Sequence, residues 1–219
     1  ISDTASVYVA SDATLDLAGL SETVGTIAGG GLITSTGGTL TLNSLTTVNG
    51  SSTTPINTLF SGNLSGAFAI TKNGIDTLIL SGDNTTGTAY SGITTITNGV
   101  VKLSNANALG SYGSASTNHT VINGTGTVLI DSNNYTINEL FTISADGVAT
   151  TQGAIRNLGK VTTLAGAITL GASARITSAG YNTIQPLDSL IITGGINTAN
   201  ASYVLTLDVQ DGMRISGVI

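Results

Sequence analysis

Apolar and polar residues alternate along this chain in short bursts of period two. Thr39-Leu40-Thr41-Leu42, Thr77-Leu78-Ile79-Leu80, Thr95-Ile96-Thr97, Thr127-Val128-Leu129-Ile130 and the stretch from Val204 to Val209 each place β-branched or apolar residues on alternate faces. That pattern predicts strands of three to six residues. Between the bursts lie Gly29-Gly30-Gly31, Gly37-Gly38, Asn49-Gly50, Asn73-Gly74, Asn98-Gly99, Asn123-Gly124, Asp146-Gly147 and Gly194-Gly195. Gly and Asn accept positive φ, so these are predicted turns. Pro55 and Pro186 fall in polar connections, where a missing N–H breaks no ladder.

The bursts also repeat. The stretch from Ile33 to Ser44 is echoed by Ile70 to Gly82 and by Val121 to Ser132, and Ser216-Gly217-Val218-Ile219 echoes Ser61-Gly62-Asn63-Leu64. A β-sandwich or jelly roll shares the short strands but has no reason to repeat local sequence. A propeller calls for an aromatic signature in each blade, and this chain has no Trp. The expected fold is therefore all-β, a right-handed parallel β-helix (β-solenoid), running over 1–219 as one segment of a larger chain. Inward Val, Ile and Leu would form its core, with Thr, Ser and Asn outside. At about 20 to 25 residues per coil this predicts about nine to eleven coils and a rod about 45 to 55 Å long. Neither end of the sequence reads as a polar cap. Neighbouring β-helical segments of the same parent chain, and weak end-to-end self-association, are the expected contacts there.

Composition narrows the function classes. Charged residues are 8% of the chain, too few for the solvated faces of a helical bundle, while Val, Ile and Leu recur too evenly for disorder. No apolar run approaches the roughly 18 residues of a membrane helix, so the segment is not expected to span a membrane. Net charge is −6, and Lys72, Lys102, Arg156, Lys160, Arg175 and Arg214 are scattered, which leaves no basic stripe for nucleic acid. Without cysteine there is no thiol catalysis, disulfide or thiolate metal site. Ile1-Ser2-Asp3-Thr4 has no signal-peptide character, so a leader was removed or the segment is internal.

The candidate chemistry is sparse. His119 is the one histidine available to a Ser-His-Asp triad, and no Gly-x-Ser-x-Gly elbow accompanies it. Asp208 with Asp211, and Asp76 with Asp83, are the carboxylate pairs considered for glycoside hydrolysis. Asp131-Ser132-Asn133 opens like a calcium loop but lacks the central glycine and closing Glu. Tyr90, Tyr112, Tyr135 and Tyr181 offer rings for stacking on sugars, the plainer reading being that they cap the apolar column. Thr-x-Thr pairs at Thr34/Thr36, Thr39/Thr41, Thr95/Thr97 and Thr125/Thr127 raise ice binding. That needs one register on consecutive coils, and the spacings from Thr39 to Thr77 and from Thr77 to Thr127 are unequal. No catalytic, cofactor-binding or metal-ligating residue is assigned, no cofactor is expected, and an enzyme is not the expected reading.

One stretch carries a family pattern. Phe60-Ser61-Gly62-Asn63-Leu64-Ser65-Gly66, Ile70-Thr71-Lys72-Asn73-Gly74, Thr77-Leu78-Ile79-Leu80-Ser81-Gly82-Asp83-Asn84 and Tyr90-Ser91-Gly92-Ile93-Thr94-Thr95-Ile96 resemble the passenger-associated repeat of bacterial autotransporters. Asn98 to Leu103 and Asn105 to Ser111 continue the likeness, strongest over 60–111 and thinnest over 113–143. Where the family has Thr-Gly-x-Gly-Thr, this chain has Asn73-Gly74-Ile75-Asp76-Thr77, with one glycine lost and a charge added. The resemblance implies a β-helical passenger, extracellular or on a bacterial cell surface, tethered through an outer-membrane barrel outside this segment. Its role would be adhesive or that of a spacer, its partners host or cell-surface glycans or proteins. The alternative is a glycan-binding or carbohydrate-active module on the same scaffold.

Overall fold

The computed structural model describes residues 1–44, 57–112, 117–132, 134–148, 152–158, 161–179 and 188–219. Pro55, Pro186, Tyr181, Lys160, Asn133 and the Asn49-Gly50 turn lie outside the described residues.

The predicted strands form, and they stack. Thr39–Leu42, Thr77–Leu80 and Thr127–Ile130 are strands with the bounds read from the alternation. Strand partners lie one coil apart in sequence and run parallel, as a solenoid requires. The first sheet has nine strands, from Ser6–Val9 through Thr26–Gly29, Asn57–Phe60, Thr77–Leu80 and onward to Leu205–Val209. The third side is an eight-stranded sheet from Glu22–Val24 to Ile196–Thr198. The side between them carries Thr14–Asp16, Leu32–Ser35 and Asn63–Gly66 in the early coils and Tyr135–Ile137, Thr162–Leu164, Asp188–Ile192 and Gly212–Ile215 in the late ones. In the fourth coil this side is reduced to bridges from Ser65 and Gly66 to Ala89 and Tyr90. The molecule is a three-sided parallel β-helix, and no α-helix occurs among the described residues.

Nine strands at about 4.8 Å spacing give a stack about 38 Å long from the first strand to the last, with the coil number at the lower end of the nine to eleven expected. Register partners are 20 residues apart between Asn57 and Thr77 but 31 apart between Gly29 and Phe60 and between Ile176 and Leu207. The described strands return to register in coils of either length. The echo of Ile33–Ser44 in Ile70–Gly82 is therefore not a coil repeat. The first copy crosses from the second side to the third, the second from the third sheet to the first. Strand, glycine corner and strand look alike wherever they occur on a three-sided coil. The echo at Val121–Ser132 does occupy the same position as Ile70–Gly82, two coils on.

Register turns alternation into columns. Leu78, Val101, Val128, Ile155 and Ile176 are successive inward partners on the first sheet, as are Phe60, Leu80, Leu103 and Ile130, and all are buried. Each such side chain contributes about 1.5 to 3 kcal/mol relative to exposure. On the ninth strand of the first sheet, Leu207 and Val209 hold inward positions and are 40% and 51% exposed.

The corners need glycine for want of space. A Cβ on Gly62 would lie 1.7 Å from the Gly31 carbonyl oxygen, and one on Gly82 would lie 2.0 Å from that of Gly62. Three coils thus turn one corner with backbone directly on backbone. Gly62→Ala should force that corner apart and lower stability by several kcal/mol, as overpacking against backbone does. Gly37→Ala, where nothing lies within 4 Å, should stay within about 0.5 kcal/mol of wild type in the same urea titrations.

Candidate interaction faces and interior polar sites

The charge that distinguishes Asn73-Gly74-Ile75-Asp76-Thr77 from the family pattern is inside the molecule. Lys72 occupies the core column of the third sheet between Leu42 and Ile96. Its Nζ lies 2.7 Å from Asp76 Oδ1, and the two side chains are 1% and 3% exposed. The same ammonium donates to the Gly74 carbonyl and, at 3.5 Å, to that of Asn98. Burial lowers the Lys72 pKa, and the Asp76 carboxylate opposes the shift. From the sequence Lys72 was one more scattered base. The sign that it lies inside was its place in the Ile70-Thr71-Lys72 alternation, where position 72 shares a face with Ile70.

A second interior polar group joins three coils. The Tyr90 hydroxyl lies 3.1 Å from Thr94 Oγ1. Thr94 and Thr120 are register partners, and Thr120 Oγ1 donates to Glu139 Oε1 at 2.8 Å. All four residues are buried. Burial pushes the Glu139 carboxyl up to about 8, against the Thr120 hydrogen bond, and holds the Tyr90 phenol far above its usual range. Tyr90 packs edge-on against Phe68 with ring centres 5.3 Å apart, so it belongs to the core and not to a sugar-stacking surface. Tyr135 is partly buried against the same core, and Tyr112 is exposed.

The carboxylate pairs proposed from sequence are occupied separately. Asp76 is inside with Lys72, whereas Asp83 is outside, its pKa lowered by the hydroxyl and amide of Thr85 and by Asn107. Asp208 faces Arg175 at 3.9 Å, and Asp211 accepts the Gly212 amide at 2.9 Å. Asp131 pairs with Lys102 at 2.8 Å, and no group of three or more His, Asp or Glu suited to a metal occurs among the described residues. His119 stands on the outer side of the third sheet, its backbone paired to Thr94, and burial lowers its pKa.

Two grooves open on the second side. One of about 480 Å³ is bounded by Asp16, Thr34, Thr36, Ser65, Thr88 and Ser91, and one of about 380 Å³ by Asp12, Thr14 and Asn63. The segment that crosses the fourth coil forms a wall, held by the Ser65 hydroxyl donating to the Thr88 carbonyl at 2.6 Å. Each groove presents one carboxylate among hydroxyls and amides. That chemistry suits hydrogen bonding to a neutral hydroxylated ligand and does not supply the two facing carboxyls of glycoside hydrolysis. Comparison of the chain with protein-family models, curated proteins and solved structures found no match.

Asp76→Ala should leave an unpaired buried ammonium and cost about 3 to 5 kcal/mol in urea unfolding, whereas the uncharged pair Lys72→Met with Asp76→Ala should recover most of that loss. Glu139 gives a pH signature. Its folded pKa lies above the unfolded one, so its stabilisation is complete below about pH 4.5 and declines until about pH 8 at up to 1.4 kcal/mol per pH unit. His119 is lowered from 6.5 and works in the opposite direction below that pH, while the amino terminus, raised from 8.0 by Glu22, acts above it. Between pH 6.5 and 8 the wild-type melting temperature should fall and that of Glu139→Gln should stay nearly level.

Proposed function

We propose that this chain is a structural and adhesive rod segment of an autotransporter-type surface protein. The observation that carries this reading is register maintained through nine coils of unequal length, which yields an extended, open-ended surface in place of one enclosed site. The stretch that resembles the passenger repeat, 60–111, supports it, because its Gly62 and Gly82 make the tight corner and its Ile70, Leu78, Leu80 and Ile96 fill the core columns. The absence of cysteine fits export unfolded through a narrow pore. In this reading the partners are host or cell-surface glycans or proteins along the sides, and neighbouring β-helical segments of the same parent chain or another copy end to end. The hydroxyl-lined groove beside Asp16 favours a second reading, glycan binding on the same scaffold.

Export tests the first reading. Placed between a signal peptide and an autotransporter barrel, the chain should reach the bacterial surface, label with antibody on intact cells and bind immobilised host-cell glycans or glycoproteins. Retention in the periplasm would overturn the passenger assignment. Glycan binding that disappears in Asp16→Ala together with Thr34→Val would favour the groove as the adhesive site.

A further inference from the structure

The unequal repeat lengths conceal a regular row on the outside of the third sheet. Thr23, Thr41, Thr71 and Thr95 are register partners on four successive coils, and after Val121 the row resumes at Thr142 and Thr169. Thr39 and Thr77, whose spacing breaks the linear period, lie on different sheets. Counted along the hydrogen-bonded ladder, the hydroxyl row repeats at the coil rise of about 4.8 Å.

Two further observations separate this row from a consequence of threonine-rich composition. The central row of the first sheet's outer side runs Leu59, Ile79, Lys102, Leu129, Arg156 on five successive coils and meets a threonine only at Thr177 on the sixth. The hydroxyls of Thr23, Thr41, Thr71, Thr95, Thr142 and Thr169 also donate to and accept from no protein group, although many other Thr and Ser hydroxyls in the molecule have partners. On one side the row is flanked by Asn43, Asn73, Thr97 and Asn123, and on the other by Thr39, Ala69 and Ile93. The one titratable group on these three rows is His119, whose lowered pKa leaves it largely neutral at pH 7.

We propose that this face binds ice. Its repeat lies close to that of equivalent oxygens along a row of hexagonal ice, so successive hydroxyls can each take a lattice position. Strand threonine is restricted at χ1, which limits the directions its hydroxyl and methyl can take on each coil. The methyls hold first-shell water in a restricted arrangement while the hydroxyls anchor it by hydrogen bonds. A neutral face is required because a charged side chain orients water about itself. The proposal stands on the third sheet alone and is independent of the export reading.

Thermal hysteresis and ice recrystallisation inhibition, measured on the whole 219-residue chain, test it. The wild type should separate freezing from melting and shape crystals into facets. Thr71→Tyr and Thr95→Tyr should lose both effects while retaining the wild-type circular dichroism melt. Thr77→Tyr, on the outside of the first sheet, should keep them. Val121→Thr, which closes the gap in the row, should widen the hysteresis. A fluorescent wild-type chain should stain defined planes of a growing ice hemisphere, a readout that needs no variant to fold. Absence of hysteresis and plane staining in the wild type would overturn the proposal. So would equal loss in Thr77→Tyr, or retention on microcrystalline cellulose without any effect on ice.

Discussion

The parallel hydrogen-bond ladder between coils is the constraint on which the rest of the molecule depends. A strand here does not pair with its neighbour in sequence but with the strand one coil away, so each backbone N–H and C=O on a face is satisfied only if successive coils return to register. Coils of 20 and of 31 residues both meet that condition. Register then makes every position a member of a column. A side chain is judged less by its neighbours along the chain than by the residues above and below it.

That logic explains where the molecule accepts expensive groups. An ammonium between Leu42 and Ile96 is tolerable only because Asp76, four residues on at the next corner, turns its carboxylate back into the same column. Taking both charges out of water costs several kcal/mol per ion, which the pair and the carbonyls of Gly74 and Asn98 must offset. The Tyr90, Thr94, Thr120 and Glu139 group is handled differently: its carboxyl is kept protonated to near neutral pH, so no full charge is buried there. Both features tie adjacent coils together by groups that have no good alternative partner.

The outer surfaces follow from the same columns. The first sheet presents large apolar side chains and an exposed ion pair between Lys102 and Asp131. The second side carries two grooves with hydroxyls in their lining, and the third sheet is neutral and threonine-rich. A rod with three different long sides can meet three kinds of partner at once, which suits an adhesive surface better than a single enclosed site would.

The alternation of Thr39–Leu42, Thr77–Leu80 and Thr127–Ile130, with glycine between bursts, determined by itself that the chain makes short strands and tight corners, and its recurrence determined that they stack. These are local properties, written in side-chain polarity at i and i+2 and in the need for small residues where backbones touch. Which residues share a column was not local. The echo between Ile33–Ser44 and Ile70–Gly82 looked like a coil repeat and joins different corners, because strand, glycine and strand read alike at all three. Lys72 read as one more scattered base and Asp76 as a candidate partner of Asp83, since nothing along the chain marks a corner that folds a carboxylate inward. The threonine row was scattered over positions 23 to 169 at unequal intervals, and only the hydrogen-bond register, set by backbone pairing across coils, brings its hydroxyls into line.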